Sequence, residues 1–403
     1  MKAVLVLGGG KVGKSVAELL LAAGRGAYRV TLADRDAEGL ALAQANMARL
    51  KSVAPFPVEF STLALDAGDH SAVRAAFKGA AYVVCMLPYH LVAGIAEMAN
   101  EAGVHYFDVT EDVETTERVR DIERSGKARV ALVPQCGLAP GYIAIAANEL
   151  ARGFHAIHDL TLRVGALPQF PTNALKYNIT WSAAGVVNEY CEPCNAMLDG
   201  RAVQVPALEG LERFSFEGVE YEAFYTSGGV GTLVETIVGE KRASPRANIA
   251  YKTIRYPGHR DLMKFLLQDL RLSAEHAEPG RRGVRFDRAL AIDLLDQSIP
   301  KTVQDVVVVF INAIGTRAAG GALEQANFMR SIRAVRMFGR VWPAIELTTA
   351  AGVCAMVDLH RLGKLRQTGL LRQEEIGLGE FNATTFGLAY EAPERLEAAI
   401  LAR

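Results

Sequence analysis

The residues best able to do chemistry stand at the front of the chain. Gly8, Gly10 and Gly13 have the G-x-G-x-x-G spacing, with Lys11 and Val12 inside it. An apolar run, Ala3 to Leu7, leads into the loop and a helix-patterned run follows from Lys14. Between a strand and a helix this spacing binds the pyrophosphate of a dinucleotide. Gly8 allows the tight turn, Gly10 lets backbone N–H groups approach the phosphates, and Gly13 lets the helix pack closely on the strand. The helix N-terminus adds unpaired donors and a partial positive charge. A second strand pattern, Tyr28 to Asp34, ends in a carboxylate about twenty residues beyond the glycines, placed to accept hydrogen bonds from an adenosine ribose. Asp34 would repel a ribose 2′-phosphate and so favours NAD. Arg35 beside it can stack on adenine or pair with that phosphate, which keeps NADP open.

Such a loop works only at the end of a sheet. Strand patterns alternate with helix patterns over 37–50, 70–77, 91–102 and 113–125, which predicts a doubly wound parallel (Rossmann) sheet over residues 1–145. Ligands bind beyond the carboxyl ends of its strands. That rule adds Asp66, Leu87 and Pro88 to the cofactor set and singles out Tyr89, residues 108–112 and residues 137–141. From about residue 146 the pattern becomes that of a mainly antiparallel sheet, with strands near 160–168, 203–206, 214–227, 250–258 and 302–315. Helix patterns over 182–198, 260–270 and 286–296 punctuate it. The fold class expected is α/β, a Rossmann domain joined to an α+β domain. A helix starting at Ala344 carries small residues at Ala350, Ala351 and Gly352, which suit close packing.

Composition narrows the functions available. At 403 residues the chain is long enough for two domains, half of it is apolar, and the net charge is −1. No basic excess recruits nucleic acid. The longest apolar stretch, Val306 to Gly315, is strand-length and far short of a membrane span. The N-terminus enters a strand without a signal-peptide pattern, so a cytoplasmic protein is expected. Five cysteines in a chain this long make no disulfide framework. Cys191-Glu-Pro-Cys194 has the spacing of a metal or redox pair, but no second pair or histidine cluster accompanies it. No H-E-x-x-H occurs either, and no metal is expected.

Beyond the glycine loop, a series of blocks resembles the saccharopine dehydrogenase family. They are Met86-Leu-Pro-Tyr-His90, Asp108-Val-Thr-Glu-Asp112, Gly137-Leu-Ala-Pro-Gly141, Leu175-Lys-Tyr-Asn-Ile-Thr-Trp-Ser182, Ala223-Phe-Tyr-Thr-Ser-Gly-Gly229 and Tyr251-Lys-Thr-Ile-Arg-Tyr-Pro-Gly-His259. The resemblance spans nearly the whole chain. It implies a cofactor domain over 1–145, an inserted substrate and oligomerisation domain over 146–343, and a segment over 344–403 that returns to the first. It also implies oxidation or formation of a C–N bond in a lysine-derived amino acid with a nicotinamide cofactor. Tyr177 to Ser182 fits the Tyr-x-x-x-Trp-Ser block of the glutamate-forming saccharopine dehydrogenases. Where many of those carry Asn-Arg-Asp-Ser, this chain has Tyr225-Thr-Ser-Gly-Gly229, a version similar to lysine 6-dehydrogenases. Saccharopine is the first substrate expected, and lysine the alternative. A catalytically inactive dinucleotide-binding regulator is the rival from another class.

The chemistry so implied assigns roles. An amine must lose its proton before its carbon gives up a hydride, so a base or water chain must stand near. An amino-acid carboxylate needs a cationic or amide partner to fix its register. Arg255 is the expected clamp, and Lys176, Thr226 and Ser227 are expected to touch substrate. Tyr89, Tyr177 and His259 form the expected catalytic set: Tyr177 to orient the amine, His259 as a proton shuttle, Tyr89 where nicotinamide and substrate meet. Glu111 or Asp112 could accept the amine proton, with helix capping the competing role. Arg213 and Arg242 are candidates for a second carboxylate. A homodimer is expected, because edge strands of an open sheet commonly pair across a two-fold.

Overall fold

The computed structural model describes residues 1–402 other than 276, 278, 281 and 282. The chain forms two compact units, one of Met1–Ile145, Val335–Trp342 and Glu346–Arg403, the other of Ala146–Ala334 and Pro343–Ile345.

The first unit is built on β1 (Lys2–Leu7), β2 (Tyr28–Asp34), β3 (Glu59–Ala64), β4 (Tyr82–Cys85), β5 (His105–Asp108) and β6 (Ala131–Val133). The short strand Gly369–Leu370 joins beside β6, giving seven strands in the order Gly369–Leu370, β6, β5, β4, β1, β2, β3. Every pair is parallel. The chain winds outward from β1 through β2 and β3, then returns to the other side of β1 at β4. The crevice beyond β1 and β4 is therefore the topological switch point. Helices α1 (Lys11–Ala23), α2 (Ala37–Val53), α3 (His70–Ala76), α4 (Tyr89–Ala102) and α5 (Val113–Arg124) cross between the strands. Capping carboxylates start three of them: Asp36 accepts from Glu38 N–H, Asp69 from Ser71 and Ala72, and Asp112 from Thr115.

The helix Ala344–Arg361 brings its small residues against this unit. A Cβ on Gly352 would lie 2.5 Å from the Gly137 carbonyl oxygen, so only glycine lets the helix approach so closely. Near its C-terminus His360 packs tilted against His105 with ring centroids 4.2 Å apart, and its Nδ1 lies 3.3 Å from the Tyr82 hydroxyl. Burial, then the neighbouring His105 and Lys2, pulls the His360 pKa down to about 4. The unfolded chain takes up this proton near the ordinary value of about 6.5. Stability from neutral His360 is complete above that value and is lost as pH falls toward 4. Tm is expected to decline over that window, and a His360→Gln variant to decline less steeply. Equal slopes in the two proteins would place the acid-labile group elsewhere.

The second unit carries an eight-stranded sheet. Its strands are β7 (Ala156–Pro168), β8 (Cys194–Leu198), β9 (Arg201–Val205), β10 (Glu212–Phe216), β11 (Val219–Tyr225), β12 (Ala243–Arg255), β13 (Asp305–Thr316) and β14 (Leu323–Arg333). The main path runs β10, β11, β12, β7, β13, β14, with β8 pairing β12 and β9. Only β7 with β12 is parallel among these pairings. The mainly antiparallel expectation therefore holds with one exception.

The helix expected over 182–198 is corrected: it stops at Cys191, and Cys194–Leu198 is β8. Pro193 lacks the N–H needed to continue the helix. Asp199 and Gly200 (φ 49° and 76°) then form the two-residue turn that folds β8 onto β9. The stretch 214–227 is likewise two strands, turned at Glu217 and Gly218 (φ 50° and 77°). A core of Tyr177, Ile179, Val186, Val187, Tyr190, Phe224, Met263, Leu267 and Leu295 joins this sheet to helices α6 (Ala183–Cys191), α7 (His259–Lys264) and α8 (Arg288–Ser298).

Candidate functional site

The glycine loop leaves β1 and turns into α1. Gly8 adopts φ 105°, and a Cβ there would come within 2.5 Å of the Met86 carbonyl oxygen. A Cβ on Gly13 would sit 1.9 Å from the Gly8 carbonyl oxygen, so helix and loop meet at a point with no room for a methyl group. At Gly10 the situation reverses, with nothing within 4 Å of a Cβ. Gly10 is the N-cap and makes no side-chain cap, and the first i→i−4 bond runs from Lys14 N–H to Gly10 O at 3.1 Å. The N–H groups of the first turn thus border open space, a cradle that fits a pyrophosphate. Lys11 is exposed and Val12 half-buried on that turn.

Asp34 ends β2 with both carboxylate oxygens engaged: one accepts Gly9 N–H, the other Asp36 N–H at 2.7 Å. The acid therefore shapes the loop. Arg35 beside it is exposed. Leu87 and Pro88 follow β4, which pairs directly with β1, and Pro88 caps α4. Tyr89 is 40% exposed there. Asp66 follows the edge strand β3 and accepts Gly68 N–H at 2.9 Å, away from the β1–β4 crevice.

Beyond β5, Asp108 is fully buried and accepts the Tyr106 hydroxyl (2.8 Å), Thr110 N–H (3.0 Å) and Gln135 N–H (2.9 Å). Burial lifts its pKa to about 6 against the pull of those bonds. Burial, with the charges of Asp112 and Asp108, lifts Glu111 to about 7. Asp112 accepts Thr115 N–H at 2.7 Å as the cap of α5. Glu111 thus has the proton affinity suited to a base near neutral pH.

In the second unit the matched blocks converge on one buried cluster. Arg255, at the end of β12, is 3% exposed. Its Nε donates to the Tyr190 hydroxyl at 2.9 Å and its Nη1 to the Ile254 carbonyl at 2.9 Å. Its guanidinium carbon lies 5.1 Å from the Tyr177 ring centre and 5.8 Å from that of Tyr190. Among the described residues no carboxylate comes within ion-pair distance of it. Desolvation opposes its charge, but Tyr190, Tyr177 and Glu189 outweigh that and keep its pKa above the ordinary value.

His259 is fully buried, with Nδ1 3.0 Å from the Leu175 carbonyl and Nε2 3.1 Å from the Tyr190 hydroxyl. Burial, then the Arg255 charge, pushes its pKa down to about 3. Tyr177 is buried, edge-on to His259, and neither its hydroxyl nor that of buried Thr180 closes a hydrogen bond of normal geometry. Thr226 and Ser227 are buried as well; Thr226 shares a 2.7 Å hydrogen bond with Thr253, and Ser227 N–H donates to the Glu189 carbonyl. Lys176 stands apart in kind, an exposed side chain donating to the Pro257 carbonyl at 2.9 Å.

Three residues of this cluster were not legible in the sequence. Tyr190 and Glu189 sit in the last turn of α6, where the sequence singles out only the Cys191–Cys194 pair that follows. Glu222, 1% exposed, accepts Gly258 N–H (2.8 Å) and Arg260 N–H (2.7 Å) and so fixes the turn that carries His259. Its alternating strand context offers no signal beyond a charge at a buried register. Of the two arginines considered for a second carboxylate, Arg242 pairs with Glu240 and donates to Asn148 at 2.6 Å. Arg213 is exposed on β10, in register with Glu222, which is itself in register with Arg255.

Cys191 and Cys194 are free, as are Cys85, Cys136 and Cys354. Burial pushes the Cys191 and Cys194 thiols up to about 11 and about 12. Among the described residues no group of three or more His, Cys, Asp or Glu could hold a metal ion, and no helix is long and apolar enough to cross a membrane.

Comparison with known proteins agrees with the geometry. Residues 4–133 match the saccharopine dehydrogenase NADP binding domain and residues 137–380 the saccharopine dehydrogenase C-terminal domain. Apo saccharopine dehydrogenase (L-Glu forming) from Saccharomyces cerevisiae has the same fold, with TM-score 0.73 and 17% identity over 96% of this chain and 97% of that one. DAP dehydrogenase from C. glutamicum, solved with DAP, aligns over 95% of this chain and 96% of its own at 11% identity and TM-score 0.44. The two matched domains span nearly the whole chain, which belongs to the saccharopine dehydrogenase family and is an NAD(P)-dependent oxidoreductase.

Proposed function

We propose that the protein oxidises the C–N bond of a lysine-derived amino acid, with saccharopine the first choice, releasing an amino acid and an aldehyde. One observation carries this reading: Arg255 is a buried cation with no carboxylate within ion-pair distance among the described residues, Glu189 acting on it only from farther off. A charge taken out of water is costly unless it is paired. A substrate carboxylate would supply the missing partner, and an inactive relative would have no reason to retain such a cost.

When bound, the nicotinamide dinucleotide supplies a hydride acceptor. The chain's residues do the rest. Arg255 holds the carboxylate, and Tyr177 and Thr180 offer unsatisfied hydroxyls for the amine. Thr226 and Ser227 line the same buried cluster, and Lys176 closes the turn at Pro257. Glu111, lifted by burial to about 7, is the candidate base of the Rossmann unit, and Tyr89 starts the helix that follows β4 there.

The second reading is oxidative removal of the lysine ε-amine as ammonia. The Tyr225-Thr-Ser-Gly-Gly229 block favours it. Saccharopine has a second amino-acid head, and Arg213 is the candidate anchor for it. A cofactor-reduction assay at alkaline pH with saccharopine and lysine side by side decides. Turnover of saccharopine, reduced selectively by Arg213→Ala, supports the first reading; turnover of lysine alone replaces it with the second. Turnover of neither refutes both.

NAD is the proposed cofactor, on the strength of Asp34. Asp34→Ala is expected to cut the preference for NAD over NADP about tenfold or more, since like-charge repulsion from a 2′-phosphate disappears. Overall affinity should fall too, because Gly9 N–H loses its acceptor. A parent enzyme that prefers NADP, with a preference unmoved by the mutation, would transfer the role to Arg35.

A homodimer is proposed through β14, an edge strand of eleven residues that among the described residues pairs with β13 alone. Sedimentation should give a dimer, and Ala326→Pro a monomer. A monomeric parent would rule this out. Free thiols at all five cysteines fit a reducing cytoplasm.

A further inference from the structure

The hydrogen bonds around Arg255 run in one direction only, and the chemistry of their last acceptor fixes that direction. The Leu175 carbonyl can accept but not donate, so the His259 Nδ1 facing it at 3.0 Å must carry the proton. The imidazole is neutral, so Nε2 is an acceptor, and the Tyr190 hydroxyl at 3.1 Å donates to it. With its proton committed there, the Tyr190 oxygen accepts Nε–H of Arg255 at 2.9 Å. The Nη1 group is drawn to the Ile254 carbonyl. Of the guanidinium, only Nη2 and the second Nη1 hydrogen are left.

Resting on the reading of Arg255 as the carboxylate clamp, we propose that Tyr190, held by His259, is a positioning residue that makes the guanidinium grip the substrate carboxylate end-on, through its Nη groups. The side-on Nε/Nη2 fork is used up by Tyr190. The chain from Leu175 through His259 and Tyr190 ends at a guanidinium, which releases no proton in proteins. His259 therefore orients Tyr190 and does not shuttle protons to the substrate. Glu222 holds the His259 turn through the Gly258 and Arg260 N–H groups, so a buried carboxylate fixes the far end of the same chain.

The test compares Tyr190→Phe, which removes one oxygen and keeps the ring, with His259→Leu and His259→Gln. Calorimetric Kd values for saccharopine and L-lysine are measured alongside KM and kcat, and the diamine obtained by decarboxylating lysine serves as the carboxylate-free control. In Tyr190→Phe, Kd and KM for the amino acid should rise about tenfold or more, since a hydrogen bond to a charged group is lost. The kcat, the KM for the nicotinamide cofactor and binding of the diamine should stay within about twofold of the parent. His259→Leu should raise KM in the same way without moving the pH profile of kcat/KM, and His259→Gln, whose amide oxygen can accept from Tyr190, should recover part of the loss. A fall in kcat with KM unmoved, a shifted pH profile in His259→Leu, or an unchanged amino-acid Kd in Tyr190→Phe each overturns the proposal. If Tyr190→Phe does not fold, the two His259 variants decide it. An Arg255→Ala enzyme with parental KM would instead refute the clamp reading itself. A raised KM in Arg255→Ala with a parental KM in Tyr190→Phe refutes the positioning role alone.

Discussion

Replacing Arg255 with methionine should lower kcat/KM for the amino-acid substrate by about 100-fold to 4,000-fold, because removing one partner of a buried charge pair costs about 3–5 kcal/mol. The KM for the nicotinamide cofactor should not change, since Arg255 lies at the end of β12 and not in the glycine loop. Stability should move the opposite way. Without substrate, the guanidinium is a buried cation whose contacts are a hydroxyl, a carbonyl and two aromatic faces. Methionine has similar volume and no charge to desolvate, so Tm of the substrate-free protein should hold or rise. Thermal melts and steady-state kinetics on one preparation check both parts. A variant that loses activity and Tm together would mark Arg255 as a structural residue.

The glycine loop gives the second large effect, and it comes as a contrast. Gly13→Ala forces a methyl group to within 1.9 Å of the Gly8 carbonyl oxygen, a backbone atom that cannot swing aside. Helix and loop must separate, which costs stability of about 1–3 kcal/mol, as overpacking does. It also moves the N–H cradle. Cofactor affinity should drop by about 100-fold or more, in line with misplacement of a preorganised site. Gly10→Ala meets nothing within 4 Å, so the cofactor-free protein should melt as the parent does. Its methyl group nevertheless occupies space meant for phosphate, and affinity should still fall about tenfold or more. Fluorescence titration of the reduced cofactor and a melt of each variant separate the cases. Equal losses of Tm in both variants would mean that Gly10 does not border open space.

What could be read in the sequence follows from how local each signal is. The Gly8–Gly13 loop is legible because strand, turn and helix start lie within a few residues, and the conformations they need are written in residue type. Arg255, Tyr177 and His259 were legible only through the blocks around them. Their meeting in one cluster depends on β12 lying beside β11 and beneath two helices, a long-range fact that no local pattern encodes. Tyr190 shows the limit: in sequence it is one more apolar-face residue of a helix, yet in the fold its hydroxyl joins Arg255 to His259. The misread helix over 182–198 is a different kind of miss. Asp199-Gly200 is a strong short-range hairpin signal and Pro193 a helix stop, while the apolar spacing across 182–198 is helical. β14 escaped because an exposed edge strand alternates polar with weakly apolar residues and shows no buried face.

The five free thiols make the fold its own reporter. Cys85, Cys136 and Cys354 belong to the Rossmann unit, while Cys191 and Cys194 belong to the other. All but Cys191 are buried, so a thiol reagent in native buffer can reach the rest only when the surrounding structure opens. Labelling rates at each site, read by mass spectrometry, then give the free energy of opening of each unit separately, with no engineered probe. Cofactor should slow Cys85, which ends the strand beside β1, and a substrate held by Arg255 should slow Cys194. A single preparation could thereby show which ligand tightens which half of the molecule.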